Sequence, residues 1–341
     1  MTKGNLFTLA FSLVCRGLLA QDTLTARGEI HFDFIKTGDN EISNTTTLSA
    51  FFEKLYQLRK SRKGIVNIVH VGDSHIQADL LTHTVRQLLQ KDFGNAGRGF
   101  VFPGRLARTN EPQNIYTSSD ANWEAKRIVF TELPLPIGAG ASTIRTAQPD
   151  AKLKLRTLDS PPLNYAFNSV AVFYKKDFSS FNLSVKDSTG ASLAYMGPFT
   201  DEKYPNFSRV TLPYVAHQIE FQTLQPTASQ NQFILFGLSL SNSKPGLIYH
   251  AIGGNGAKFR HYLDAQLFFE QMPALNADLF IISLGTNEAM DYPNMDRRFS
   301  EQVEDFVKRI KQHNPDALLL ITTPADFYRK RTRRNPGVEW V

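Results

Sequence analysis

Residues 65–89 read IVNIVHVGDSHIQADLLTHTVRQLL, and the division of this stretch decides the fold. Ile65 to Val71 is a run of β-branched and apolar residues long enough for one buried strand. The run breaks at Gly72-Asp73-Ser74. Apolar residues then return at Ile76, Leu80, Leu81, Val85, Leu88 and Leu89, which is helical spacing. A strand, a tight turn and a helix together hold a serine hydroxyl at a strand end, with the positive pole of the helix behind it. Such a setting suits a nucleophile that attacks a carbonyl and leaves an oxyanion nearby. Taken alone, Gly-Asp-Ser reads as turn and N-cap chemistry, so the rest of the chain has to decide.

Leu48 to Arg59 has helical spacing ahead of this stretch, and the same alternation of strand and helix returns after Gly246. Leu247–Ile252 reads as a strand ending in Gly253-Gly254-Asn255-Gly256-Ala257, and a helix follows through Phe259, Leu263, Leu267 and Phe268. Asp278–Leu284 is a second apolar strand and ends in Gly285-Thr286-Asn287-Glu288-Ala289. Phe299–Gln312 is amphipathic through Val303, Phe306, Val307 and Ile310, and Ala317–Thr322 is a further buried strand. Apolar strands alternating with amphipathic helices predict a parallel sheet covered on both faces, an α/β fold. In such sheets the working loops lie at the C-terminal ends of the strands. The loops at Ser74, Gly254 and Asn287 each follow a strand, so they can meet on one edge.

From about Asp120 to Ser243 helical periodicity disappears. Short strand-like segments replace it: 169–174, 182–186, 208–212, 218–222 and 232–240, bounded by Gly, Pro, Asn and Ser. Strands at this spacing predict a β-sandwich inserted into the α/β part. Its aromatic residues are core or a surface for sugar rings. The glycines of Phe93–Phe100 match neither the P-loop nor the dinucleotide spacing, so a structural loop is expected there.

The chain has 341 residues, 42% hydrophobic and 21% charged, which is ordinary globular composition. The first twenty residues read as a secretory signal, with Lys3, an apolar core from Leu6 to Val14 and a cleavage site at Leu18-Leu19-Ala20. Export to the periplasm or beyond is therefore expected. The single cysteine, Cys15, lies inside this segment, so no disulfide or thiolate chemistry is expected of the mature chain. No later run is long enough for a membrane span, so stable membrane insertion is not expected. The net charge of +6 attracts anionic surfaces mildly, and no aromatic-rich basic motif argues for nucleic acid.

The three loops resemble blocks of the SGNH/GDSL hydrolase superfamily, in the family's order. Gly72-Asp73-Ser74 is similar to the first block and Gly253–Ala257 to the second. Gly285-Thr286-Asn287-Glu288 is similar to the third. The resemblance implies a three-layer αβα, flavodoxin-like fold and a serine esterase that needs no cofactor or metal. The implied nucleophile is Ser74, with oxyanion donors from Ser74 itself, Gly254 (Gly253 being the neighbouring choice) and the Asn287 amide. Asp73, His75, Gly253 and Glu288 are placed at the substrate, although Asp73 also suits the turn itself. Exported members with Gly-Asp-Ser-His and a β insertion imply removal of O-acetyl groups from peptidoglycan or another polysaccharide. A lipid or aryl-ester hydrolase of the same fold and a catalytically silent glycan-binding protein are the alternatives.

The implied division is 1–20 signal peptide, 21–49 extended lead-in, 50–119 and 246–341 hydrolase, and 120–245 inserted sandwich. The pattern departs at its fourth block, because no Asp-x-x-His follows Asn287. His313 stands before a strand, at the wrong edge of the sheet. A sequence truncated before that block is expected, and a lost base is the alternative. His75, Asp79 and His83 share a helical stripe that falls short of a metal site, and His70 is expected in the core.

Overall fold

A computed structural model describes residues 41–130, 134–199 and 205–324. The signal-peptide reading, Cys15 and most of the lead-in lie outside the described residues. By its internal contacts the chain divides into two units, Met1–Thr45 and Thr46–Val341, and all the sheets belong to the second.

A parallel sheet carries the loops of interest. Its strands are β1 (Ile65–Gly72), β2 (Asn95–Gly97), β14 (Gly246–Gly253), β15 (Leu279–Ser283) and β16 (Leu318–Ile321). They lie in the order β16-β15-β1-β14-β2, and every pairing is parallel. The four longer strands thus run second-first-third-fourth across the sheet, the order of flavodoxin-like folds. The order reverses at β1, so the crevice beyond the end of β1 is where such a sheet receives a ligand.

Helices cover both faces. Val69 and Val71 of β1 enter a core with Phe259 and Tyr262 of a helix Phe259–Leu263, Phe268 of a helix Phe268–Gln271, and Phe306 and Ile310 of a helix Phe299–His313. The alternate face, marked by His70 and Tyr249, is covered from a helix Leu80–Phe93, whose Arg86 lies over the Tyr249 ring.

That helix corrects the periodicity argument. Ile76 is buried at 1% exposure, but Leu80 and Leu81 are 63% and 52% exposed. The helix begins only after Asp79, which takes a left-handed φ of 56° and separates it from a short helix Ser74–Gln77. The stripe that faces the sheet is polar: Thr82, Arg86 and Gln90. The reason is the shortness of β2, which pairs only with Leu247 and Ile248 and leaves carbonyls of β14 to be satisfied otherwise. Gln90 Nε2 donates to the Leu247 and Gly97 carbonyls, and Arg86 Nε donates to the Tyr249 carbonyl.

Between β2 and β14 the chain forms two antiparallel sheets. One joins β10 (Ser192–Met196), β9 (Asn182–Lys186), β12 (Gln218–Leu224), β7 (Lys152–Thr157) and β4 (Ile115–Ser119). The other joins β11 (Ser208–Ala216), β8 (Phe167–Tyr174), β13 (Phe233–Ser241), β6 (Ser142–Thr146) and β5 (Glu124–Arg127), with β3 (Gly99–Val101) also on β13. These sheets draw on residues ahead of 120, since β3 and β4 already belong to them.

The two sheets share one core through Val170, Val172, Leu235 and Leu238 on one side and Leu153, Leu155, Ile219 and Phe221 on the other. β7 and β12 bury one face and alternate, whereas β8 and β13 are apolar almost throughout. The opposite face of β8 and β13, with Ala171, Phe173, Ile234 and Phe236, joins the core of the parallel sheet. A strand buried on both faces has no polar side to alternate with.

Candidate active site

Two glycines let the helix Ser74–Gln77 sit directly on the strand ends. A Cβ on Gly72 would lie 2.3 Å from Ile76 Cγ1 and 2.7 Å from the Ser283 carbonyl oxygen. A Cβ on Gly253, its partner in register, would lie 2.3 Å from Gln77 N and 2.5 Å from the Asp73 carbonyl oxygen. Neither backbone can give way, so both positions need glycine for close approach. The Gly72 carbonyl is held by the Gly254 N–H at 3.2 Å and the Tyr262 hydroxyl at 2.7 Å.

The loops after β1, β14 and β15 are fastened to one another by a single side chain. Asn287 Nδ2 donates to Asp73 Oδ2 at 3.2 Å and to the Ala257 carbonyl at 3.0 Å. Turned the other way, the amide oxygen would face two acceptors, so the network fixes its orientation. Asp73 is 2% exposed, and its Oδ1 accepts from the His75 backbone N–H at 3.0 Å and pairs with His75 Nδ1 at 2.9 Å. It is the N-cap of the helix that Ser74 begins.

These contacts relocate several of the residues that the sequence places at the substrate. Asp73 lies beneath the loop with its carboxylate spent on His75 and Asn287. Glu288 is 3% exposed, and its Oε1 accepts the Phe259 N–H at 2.7 Å, so it ties the helix Phe259–Leu263 to the Asn287 loop. Burial pushes the Glu288 carboxyl above the usual range. His75 is at the surface, with its imidazole turned to Asp73.

The Gly254 N–H is committed to the Gly72 carbonyl. Successive N–H groups leave a strand on opposite edges, so the Gly253 N–H faces away from β1. Ser74 is half-buried and, among the described residues, its hydroxyl makes no hydrogen bond. His313 ends a helix at the opposite edge of the sheet.

Two buried networks lie beneath the loops, and His70, expected in the core, belongs to the first. His70 Nδ1 lies 2.6 Å from the Tyr249 hydroxyl and Nε2 lies 2.6 Å from Ser283 Oγ, which is 2.9 Å from Thr322 Oγ1. This chain ties β14, β1 and β15 to the residue that follows β16. Burial lowers His70 to about 3, so it is neutral at physiological pH and too weak a base to activate Ser283. In the second network Asp79 Oδ1 accepts from Arg86 Nη2 at 2.7 Å and from Thr82 at 2.6 Å, and Oδ2 accepts from Arg98 Nη2 at 2.6 Å. Burial would raise the Asp79 carboxyl, but Arg98, Arg86 and Thr82 together bring it well below the usual range. The spacing of Asp79 and Arg86, two helical turns apart, is the one hint of this pair in the sequence.

No protein-family model and no curated protein matches the chain. Among solved structures, one described as "Peptidoglycan O-acetylesterase in action, 5 min" is similar at a TM-score of 0.62 and 22% identity, covering 80% of this chain and 70% of its own. A family two carbohydrate esterase from Cellvibrio japonicus covers 62% of this chain and 80% of its own at 12% identity, with a TM-score of 0.21. The family 32 carbohydrate-binding module of C. perfringens NanJ, in complex with galactose, covers 42% of this chain and 97% of its own at 11% identity, with a TM-score of 0.25. The last two scores are too low to indicate a shared arrangement. The first shows that this chain shares the α/β fold of that structure.

Proposed function

We propose that this protein is an exported serine esterase that removes O-acetyl or other short acyl groups from a cell-wall or related polysaccharide. The observation that carries the reading is the pair of Asn287 hydrogen bonds to Asp73 and Ala257, which draws the three strand-end loops together beside Ser74. In this reading Ser74 Oγ attacks the ester carbonyl and the sugar hydroxyl leaves. Water then hydrolyses the acyl-serine and releases the carboxylic acid. The negative charge falls to the Ser74 N–H, a glycine N–H and the Asn287 amide. Gly254 is that glycine in this reading, and its N–H reaches the oxyanion by releasing its 3.2 Å bond to the Gly72 carbonyl. Asn287 reaches the oxyanion by releasing the longer of its two bonds, the one to Asp73.

The antiparallel sheets belong to this reading as an inserted β-sandwich that holds the glycan. Their surface exposes Phe178, Tyr195, Phe199 and Tyr214, with the Phe178 and Phe199 ring centroids 4.9 Å apart. Aromatic faces of this kind bind sugars by apolar contact with a polar handle nearby.

A second reading, a catalytically silent glycan-binding protein, is favoured by the Ser74 hydroxyl, which has no histidine partner among the described residues. Release of acetate from an O-acetylated polysaccharide, measured beside hydrolysis of a long-chain aryl ester, separates the readings. Acetate release with little aryl-ester turnover is expected. Retention of the polysaccharide without acetate release would establish the silent binder instead. Within the same assay Asn287→Ala should cost about 10²–10³-fold in kcat. Turnover close to normal in that variant would remove Asn287 from the mechanism.

A further inference from the structure

The two antiparallel sheets differ in what their outer faces meet. The sheet of β8 and β13 turns Ala171, Phe173, Ile234 and Phe236 into the core of the parallel sheet, so that face is covered. The other sheet buries Leu153, Leu155, Ile219 and Phe221 inside the sandwich. Side chains alternate along a strand, so the residues between these point outward. They include Lys152, Lys154 and Arg156 on β7, Gln218 and Gln222 on β12, and Lys186 on β9. No aliphatic side chain stands at the outward positions of β4 and β7.

Lys152, Lys154 and Arg156 form a line of positive charges about 7 Å apart, the rise of two strand residues. Glu220 lies opposite Lys154 and Lys186 in register, 3.6 Å from the Lys154 ammonium, and Lys186 Nζ donates to Gln222. Among the described residues Lys152 and Arg156 make no ion pair. At the end of the line Arg156 meets a second guanidinium. The Tyr116 ring centroid lies 5.4 Å from Arg156 Cζ and 4.5 Å from Arg105 Cζ, so one ring holds two like charges near each other. Arg105 is paired with Glu111, whose carboxylate also accepts the Thr117 N–H and hydroxyl. Asp120, Asp150, Asp159 and Asp187 lie beyond the strand ends, and all but Asp150 accept backbone N–H groups there. Five positive charges on this face therefore meet two carboxylates, Glu111 and Glu220.

We propose that the outer face of this sheet binds an acidic polysaccharide, one carrying carboxylates at regular intervals along β7. Paired guanidiniums suit a carboxylate, which accepts from their planar donors, so Arg105 and Arg156 take one carboxylate beside Tyr116. The lysines take the next ones along the chain, and Gln218 and Gln222 supply donors and acceptors for sugar hydroxyls. Single-stranded nucleic acid needs free aromatic faces for its bases, and the Tyr116 ring already carries guanidiniums. A membrane surface needs apolar side chains to insert, which the outward positions of β4 and β7 lack. The proposal gives the glycan of the preceding reading an acidic class, but it concerns binding alone and does not require that the protein cleave an ester.

Affinity electrophoresis of the full chain through gels containing polygalacturonate tests the face. Retardation by polygalacturonate and none by uncharged dextran is expected. Lys152→Gln with Arg156→Gln should weaken the retardation about tenfold at an unchanged denaturation midpoint, since neither side chain has an ion pair to lose. Lys63→Gln with Lys91→Gln removes the same net charge from exposed positions on the parallel-sheet side and should migrate like wild type. Ser74→Ala should also be retarded like wild type, so a failed esterase assay leaves this result standing. No retardation by polygalacturonate, or an equal loss in both double variants, overturns the proposal. Tighter binding to single-stranded DNA or to phosphatidylglycerol vesicles than to polygalacturonate overturns it as well.

Discussion

Replacing Ser74 with alanine is expected to lower ester turnover by about 10³-fold or more, because the hydroxyl that attacks the ester is gone. The same change should leave stability within about 0.5 kcal/mol, since Ser74 is half-buried and its hydroxyl makes no hydrogen bond among the described residues. These two expectations belong together. A loss of turnover with an unchanged denaturation midpoint assigns the hydroxyl to chemistry. A loss of both would make Ser74 a structural residue of its turn. Asp73 is the control, because its carboxylate holds His75 and Asn287 in place and its removal disturbs the loop itself.

The largest effect on stability is expected at Asp79. Asp79→Ala removes the one carboxylate from between two fully buried guanidiniums and should destabilise the protein by about 3–5 kcal/mol. Urea denaturation reads this as a lower midpoint at unchanged slope. The pH dependence has a definite sign. The folded-state pKa of Asp79 is depressed by its arginines, so its contribution is present above the unfolded carboxylate value of about 4 and is lost as pH falls towards the folded value. Glu288 acts in the opposite sense, because burial raises its pKa and its ionisation costs stability as pH rises through the folded value. A variant that lost less than about 1 kcal/mol would show that Arg86 and Arg98 find compensation elsewhere.

The parallel sheet and its loops were legible because their signals are local. β1, β14 and β15 are apolar runs that stop at glycine, and the structure ends them at Gly72, Gly253 and Ser283. The apolar segments at 169–174 and 232–240 are likewise strands, β8 and β13. β5 is harder to see, since EAKR carries little apolar content and depends on its neighbours for pairing.

The site divides in the same way. Ser74 and Asn287 are announced by their turns, whereas Tyr262, Arg86 and Arg98 act through partners far along the chain that no short window contains. Glu288 was misplaced for a related reason. Being next to Asn287 suggests a shared role, but successive residues of a helical turn face different directions, and Glu288 faces the Phe259 N–H.

Ser74 is proposed as a nucleophile held among three strand-end loops, and that role has a direct chemical test. It is tested most directly by treating the intact chain with a fluorophosphonate and locating the adduct by peptide mass spectrometry. One phosphonyl group on the peptide containing Ser74, absent from Ser74→Ala, is the result expected. An unmodified chain, or an adduct on another residue, would show that Ser74 is not the nucleophile.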